Sequence, residues 1–357
     1  MRLRDLHLTI GSLPTGYNNA ITDVAGVGLG HVNIRNAGLH SGLTAVVPYP
    51  TTVKERRLFI GRYALDNADT MTSLGVTEDF GTFSTPIVLA PVPAVGRIYD
   101  ALIDYGLNRD SGLSTNTGWP PLVIGLNDTA WNPPATTYQE VNAEHLHQAL
   151  ADTTTAAFDE GNAGIGSGLV AFGIKGGTGT ASRRVTTPAT YTIGALVAAN
   201  GGEPSSLCLD RMPLAPILNL SPAAAHITRT FAAVVATDAP LIPRQLARLA
   251  ERAAIGLVRT GLIDATTHAG LVLAFSTHYI ATPTTTSLPT ESLQSLGEAP
   301  LHALFAAAAD TCEEAVFNAL LAATPIQRGQ QHLESLPHTI WPNAVQAYQK
   351  NKAANGH

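Results

Sequence analysis

Charge and cysteine are scarce in this sequence. Only 13% of its 357 residues are charged, and 21 Lys and Arg stand against 27 Asp and Glu. The net charge of −6 gives no electrostatic reason to bind a polyanion, and no Lys/Arg run is offered to an anionic membrane. Nucleic-acid and membrane partners are not expected. Cys208 and Cys312 are the only cysteines, too few for a disulfide framework, and they suit a reducing compartment. Asp5 and His7 interrupt the segment after the basic start, and no later stretch reaches about 18 uninterrupted apolar residues. Neither a signal peptide nor a transmembrane span is expected, and the cytoplasm is the expected location.

Several motifs are missing as well. The 12 histidines contain no His-Glu-x-x-His, and no Cys-x-x-Cys is present. His145 and His147 flank one residue of an expected helix and so point to different faces. No metal or other cofactor is expected. Without a Gly-x-Ser-x-Gly elbow, an α/β-hydrolase triad has no support. Lys175 is followed by Gly176, which breaks the phosphate-loop pattern.

What is present is 45% hydrophobic residues and 32 glycines, the composition of closely packed elements joined by tight turns. Thr44-Ala-Val-Val-Pro, Thr230-Phe-Ala-Ala-Val-Val-Ala-Thr and Gly270-Leu-Val-Leu-Ala-Phe-Ser-Thr read as strands, with Leu122-Val-Ile-Gly a weaker fourth. Helices are expected from Pro243, with Gly256 as its stop, from Leu301 to Ala323 with Glu313 and Glu314 exposed, and from His145 to Phe158. Residues Thr282 to Ser295 read as a surface loop and the tail after Gln346 as frayed. No internal repeat and no long linker divides the chain, so one layered α/β domain spanning residues 1–357 is expected.

Two segments carry the chemistry. Gly161-Asn-Ala-Gly-Ile-Gly-Ser-Gly-Leu-Val-Ala-Phe-Gly-Ile-Lys-Gly-Gly-Thr-Gly-Thr-Ala-Ser-Arg183 places a glycine at every second or third position. On residue chemistry alone this is either a functional backbone loop or tight packing. In His226-Ile-Thr-Arg-Thr-Phe-Ala-Ala-Val-Val-Ala-Thr-Asp-Ala-Pro240, Thr230 heads a buried strand and is by default a β-former. Asp238 reads as satisfying free amides at the start of the next helix.

At these segments the chain resembles the L-aminopeptidase/D-esterase family, the DmpA-type and beta-peptidyl aminopeptidases. The resemblance begins at Asn19-Ala-Ile-Thr-Asp-Val-Ala-Gly-Val-Gly-Leu-Gly-His31 and runs to Leu336-Pro-His. It includes Thr85-Pro-Ile, Lys175-Gly-Gly-Thr-Gly-Thr-Ala-Ser-Arg, Tyr191-Thr-Ile-Gly-Ala-Leu-Val-Ala-Ala-Asn200, Val235-Ala-Thr-Asp-Ala-Pro-Leu, Gly256-Leu-Val-Arg-Thr-Gly261, Leu273-Ala-Phe-Ser-Thr277 and Asn318-Ala-Leu-Leu-Ala-Ala. It implies a four-layer αββα sandwich of the DmpA/ornithine acetyltransferase type, made as a precursor that cuts itself before the nucleophile. Counting back from Asp238 puts Thr230 at the place where the family normally has Ser. Cleavage would give fragments 1–229 and 230–357. The resemblance also implies that Asn200 helps hold the oxyanion, that Lys175 and the glycines after it form the floor of the site with Lys175 a second-rank electrostatic candidate for catalysis, and that the protein is a homo-oligomer, by resemblance a tetramer. The implied substrate is a small peptide or peptide-like amide.

The chain departs from the family at four places. Arg229 replaces the usual Gly before the nucleophile, and His268-Ala-Gly270 replaces Ser-Gly-Glu, leaving His268 as a candidate base. Asn127-Asp128 stands where Tyr or Trp with Asp is common. Asp66-Asn-Ala-Asp-Thr70 replaces Asn-Gly-Asn-Gly-Glu. Two alternatives to amide hydrolysis are acyl transfer on the same fold and an uncleaved, catalytically silent relative.

Overall fold

The computed structural model describes residues 1–48, 57–65, 71–109, 120–187, 189–218, 220, 230–263, 269–281 and 295–354. In chain order come β1 (Val27–Ile34), β2 (Ser41–Pro48), β3 (Arg57–Leu65), α1 (Leu74–Phe80), β4 (Thr82–Phe83), β5 (Ile87–Pro91) and α2 (Val95–Arg109). They are followed by β6 (Leu122–Leu126), α3 (Pro134–Glu140), α4 (Ala143–Ala151), and the short strands β7 (Val170–Ala171) and β8 (Ile174–Lys175). Next come β9 (Gly177–Thr187), β10 (Ala189–Ala199), β11 (Cys208–Leu209), β12 (Met212–Pro213), α5 (Ala215–Leu218) and β13 (Thr230–Thr237). The chain closes with α6 (Pro243–Thr260), β14 (Ala269–Ala281), α7 (Glu298–Ala322), β15 (Ile326–Arg328), β16 (Gln331–Leu333) and α8 (Trp341–Ala354).

Two sheets face each other. One has the order β1-β2-β5-β6 and the other β4-β3-β14-β13-β10-β9. Side-chain alternation along the strands builds the layers. Ala232, Val234 and Ala236 of β13, Leu196 and Ala198 of β10, and Leu122, Ile124 and Leu126 of β6 share one core between the sheets. The opposite faces of β10, β13 and β14 pack under α6 and α7, and those of β2, β5 and β6 pack under α2 and α4. The result is the expected four-layer αββα sandwich. β13 is central, antiparallel to β10 and parallel to β14, which explains its unbroken apolar run. Val234 and Val235 are both 0% exposed, each burial worth about 1.5–3 kcal/mol.

The glycine-rich stretch is packing. A Cβ on Gly176 would sit 2.3 Å from Ala199 O, and one on Gly179 2.2 Å from Ala315 O, so the chain passes backbone against backbone.

Five local readings are corrected. The helix read from His145 to Phe158 is α4, which starts at Ala143 and stops at Ala151. Asn142 Oδ1 accepts from Glu144 N and His145 N at its start, and past its end Thr154 pairs with Leu29 through two 2.9 Å backbone bonds. Gly256 does not stop α6: a Cβ there would lie 2.1 Å from Ala309 O, so it permits close contact with α7, and Gly261 at φ +82° ends the helix. Asp238 caps no helix; it accepts from Thr192 N at 2.7 Å across the sheet.

Glu313 and Glu314 are buried, because α7 is enclosed by α6 and the sheet. Glu314 accepts from Arg4, Asn19 and Arg183, the last at 2.6 Å with both side chains fully buried. Burial alone would push the Glu314 carboxyl up; the hydrogen bond from Arg4, the charge of Arg183 and the Asn19 amide together hold it below its ordinary range. The tail after Gln346 stays helical to Ala354, anchored by buried Trp341, Ala344 and Tyr348. The loop read at Thr282 to Ser295 lies, apart from Ser295, outside the described residues, as does Asp66 to Thr70.

Candidate active site

The site lies at one end of the inter-sheet space. Thr230 is the first residue of β13, and by strand alternation it shares a face with Ala232, Val234 and Ala236, toward the second sheet. Ala198 of β10 pairs with Ala232, so two further residues along the register set Asn200, just past β10, beside Thr230. Asn127 directly follows β6 of the opposite sheet.

These three residues meet at one oxygen. Asn200 Nδ2 donates to Thr230 Oγ1 at 2.9 Å, and the Asn127 backbone N–H donates to the same oxygen at 3.2 Å. The Asn200 amide cannot be turned round: its Oδ1 accepts from Val170 N at 3.1 Å while its Nδ2 also donates to Asn127 O at 3.0 Å. Asn200 is 1% exposed and locked, whereas Thr230 is only half-buried. Two donors on one hydroxyl oxygen favour negative charge there, the electrostatics that a nucleophile and an adjoining oxyanion both require.

Lys175 lies behind this cluster. Its Nζ donates to the carbonyls of Gly166 at 2.5 Å, Gly176 at 2.8 Å and Leu169 at 3.3 Å. Complete burial pushes its ammonium down to about 7, against which three carbonyl oxygens match the three N–H donors of the charged form. Among the described residues these hydrogen bonds run to the glycine stretch and not to Thr230. That stretch connects to the site through Val170, whose N–H is held by Asn200.

The Ser-Gly-Glu departure acquires a steric reason. Gly270 pairs with Phe231 in the parallel ladder, and a Cβ on Gly270 would lie 1.7 Å from Phe231 Cε1. The residue after Thr230 therefore fills the space that a side chain at position 270 would occupy. His268 and Arg229 lie outside the described residues.

In sequence Asn127-Asp128 stands out only as an altered pair, with nothing to set either residue beside Thr230. The Asn127 contribution is a backbone amide, which leaves no mark in residue identity. Its side chain is used locally, accepting from Thr129 N at 3.0 Å and Thr129 Oγ1 at 2.6 Å. Among the described residues no group of three or more His, Cys, Asp or Glu side chains is arranged to hold a metal.

Comparison with known proteins agrees with this architecture. The model of peptidase family S58 matches residues 19–333. The beta-peptidyl aminopeptidase BapA of Sphingosinicella microcystinivorans is 32% identical, covering 99% of this chain and 94% of the relative. BapA of Sphingosinicella xenopeptidilytica is 30% identical over 94% of this chain and 89% of its own. The solved L-aminopeptidase D-Ala-esterase/amidase of Ochrobactrum anthropi, described as a variant of the Ntn hydrolase fold, superposes with a TM-score of 0.87 at 31% identity, covering 98% of this chain and 99% of that one. On the strength of the family match and of relatives this similar along nearly their whole length, the chain belongs to peptidase family S58 and is an amide-bond hydrolase.

Proposed function

We propose that Thr230 is the nucleophile, exposed as a new N-terminus when the chain cuts its own Arg229–Thr230 bond, and that the mature enzyme hydrolyses small peptides or peptide-like amides. The observation that carries this reading is the convergence of Asn200 Nδ2 and the Asn127 N–H on Thr230 Oγ1. In maturation the hydroxyl oxygen attacks the Arg229 carbonyl carbon, the C–N bond breaks to leave an ester and a free amine, and water hydrolyses the ester. In catalysis the same oxygen attacks the substrate carbonyl while Asn200 donates to the oxyanion. A single preorganised donor is worth about 2.7–4 kcal/mol of barrier. The leaving amine takes up the proton released from the hydroxyl, and water then frees the acyl group. The base is the Thr230 α-amine, ordinarily near a pKa of about 7.7–8.0, or His268.

Relatives named as beta-peptidyl aminopeptidase and L-aminopeptidase support an aminoacyl amide with a free amine, of α or β type, as substrate. Lys175 is assigned the task of holding the glycine floor. We place the protein in the cytoplasm as a homo-oligomer, tetrameric by its family resemblance. Its free thiols Cys208 and Cys312 support a reducing compartment. No helix among the described residues is long and apolar enough to cross a membrane.

The test is Thr230→Ala beside Thr230→Ser, assayed on alanine and β-alanine p-nitroanilides. The alanine variant is expected to remain a single chain and to lose turnover, and the serine variant to retain both activities. Full hydrolysis by Thr230→Ala would remove Thr230 from the mechanism.

A further inference from the structure

We propose that Asp128 is a positioning residue for the same reaction, its buried carboxylate anchoring the turn that holds the Asn127 amide on Thr230; this rests on Thr230 being the nucleophile. Asn127 spends both of its backbone groups on the site. Its N–H goes to Thr230 Oγ1 and its carbonyl takes a bond from Asn200 Nδ2. Whatever fixes the turn after β6 therefore fixes both donors.

Asp128 is the next residue and is 1% exposed. Its Oδ2 accepts from Ser41 Oγ at 2.9 Å, the first residue of β2, and from Asn132 Nδ2 at 2.7 Å. Its backbone carbonyl accepts from Trp131 N at 3.0 Å and Asn132 N at 2.9 Å. Asn132 carries the anchor onward, accepting from His40 N at 3.0 Å and donating to His40 O at 2.9 Å. One carboxylate oxygen thus ties the turn directly to Ser41, the first residue of β2, and through Asn132 to His40 just before it.

The carboxylate has neutral neighbours. Ser41 and Asn132 are its side-chain partners, and Oδ1 has no hydrogen-bond partner among the described residues. The charged and titratable groups nearby belong to the next layer. The His40 ring lies edge-on to Trp131 and bonds Gln327 O, the Arg328 guanidinium sits 5.7 Å over Trp131, and Lys175 is spent on carbonyls. Burial accordingly pushes the Asp128 carboxyl up to about 6, within reach of an ordinary assay. Ionised, it is a pure acceptor matched to its two donors; protonated, it has a proton to place and holds them less well.

The experiment measures kcat and KM on alanine and β-alanine p-nitroanilides between pH 5 and pH 9, together with the melting temperature. It compares wild type, Asp128→Asn, Ser41→Ala and Thr230→Ala. Misplacing a catalytic donor by about 1 Å costs on the order of 10²-fold. Asp128→Asn is expected to lower kcat on the order of tenfold to a hundredfold, with KM within about twofold. The wild-type log kcat profile should fall with slope one through the pKa of the base and steepen below about pH 6, whereas Asp128→Asn stays at slope one. At pH 7.5 its melting temperature should not fall, because a carboxyl whose folded pKa is raised disfavours the folded state once ionised. Ser41→Ala should lower kcat in the same direction by a smaller factor. If Asp128→Asn keeps the wild-type kcat and its steepened acid limb, or loses only melting temperature, the positioning role is overturned. Thr230→Ala separates the two ideas. If it is inactive while Asp128→Asn is unaltered, only the Asp128 role fails; if it is active, the nucleophile assignment fails and the positioning role with it.

Discussion

Replacing Asn200 with alanine removes a donor, an acceptor and a spacer at once, and each has a separate cost. The catalytic loss is that of one preorganised donor, beside Thr230 Oγ1 at 2.9 Å and proposed to serve the substrate oxyanion, about 2.7–4 kcal/mol or 10²–10³ in kcat. The structural loss comes from Val170 N and Asn127 O, each of which loses its Asn200 partner. A buried polar group left without a partner costs about 1–3 kcal/mol, and these two part-buried groups fall at the low end. Asn200→Ala should therefore melt several degrees below wild type while remaining folded. The proposed maturation would use the same oxygen, so the cleaved fraction must first be counted by intact mass and kcat expressed per cleaved chain. The expected pattern is a kcat lowered by two to three orders of magnitude with KM nearly unchanged. A kcat within threefold of wild type, or a loss confined to KM, would show that Asn200 binds substrate and transition state alike, and the oxyanion assignment would fall.

Three further outcomes follow from the packing. Gly270→Ala should destabilise the protein by at least the roughly 1–3 kcal/mol of an overpacked core, because the new Cβ meets the Phe231 ring at 1.7 Å, and Phe231→Ala in the same chain should restore part of that loss in a denaturant titration. Glu314→Gln should cost about 3–5 kcal/mol, since it leaves the fully buried Arg183 guanidinium facing a neutral group. The Glu314 carboxyl is held below its ordinary range, so its stabilisation is complete above its unfolded pKa and is lost as pH falls through the folded value; the variant's melting temperature should depend less on pH below about 4.5, the unperturbed value. Cys312, completely buried and pushed up to about 12, should resist maleimide at pH 8 in native protein and react only on unfolding, read by mass.

The strands were legible because fully buried strands leave apolar runs. The run from Thr230 to Thr237 is β13 end to end. The helices misled where burial contradicts composition. Glu313 and Glu314 on an alanine-rich helix read as a solvent face, and only the Arg4, Arg183, Asn19 and Arg259 partners, distant in sequence, explain their enclosure. Gly256 read as a stop because glycine ends helices often, yet its missing side chain serves the contact with Ala309. Asn200 and Thr230 stood out through their motif context, and register sets them side by side. Asn127 did not stand out, since a backbone N–H is the same in every residue but proline. Gly270 shows in sequence only as a replacement of the family's Glu, and its tie to Phe231 appears only when β13 and β14 are paired.

The central claim, that Thr230 becomes a free N-terminal nucleophile, is tested most directly by intact mass and N-terminal sequencing of freshly prepared protein. The account predicts two fragments, 1–229 and 230–357, the smaller beginning Thr-Phe-Ala-Ala-Val-Val. A single 37.3 kDa chain that hydrolyses amides, or a small fragment beginning at Thr228, would contradict it.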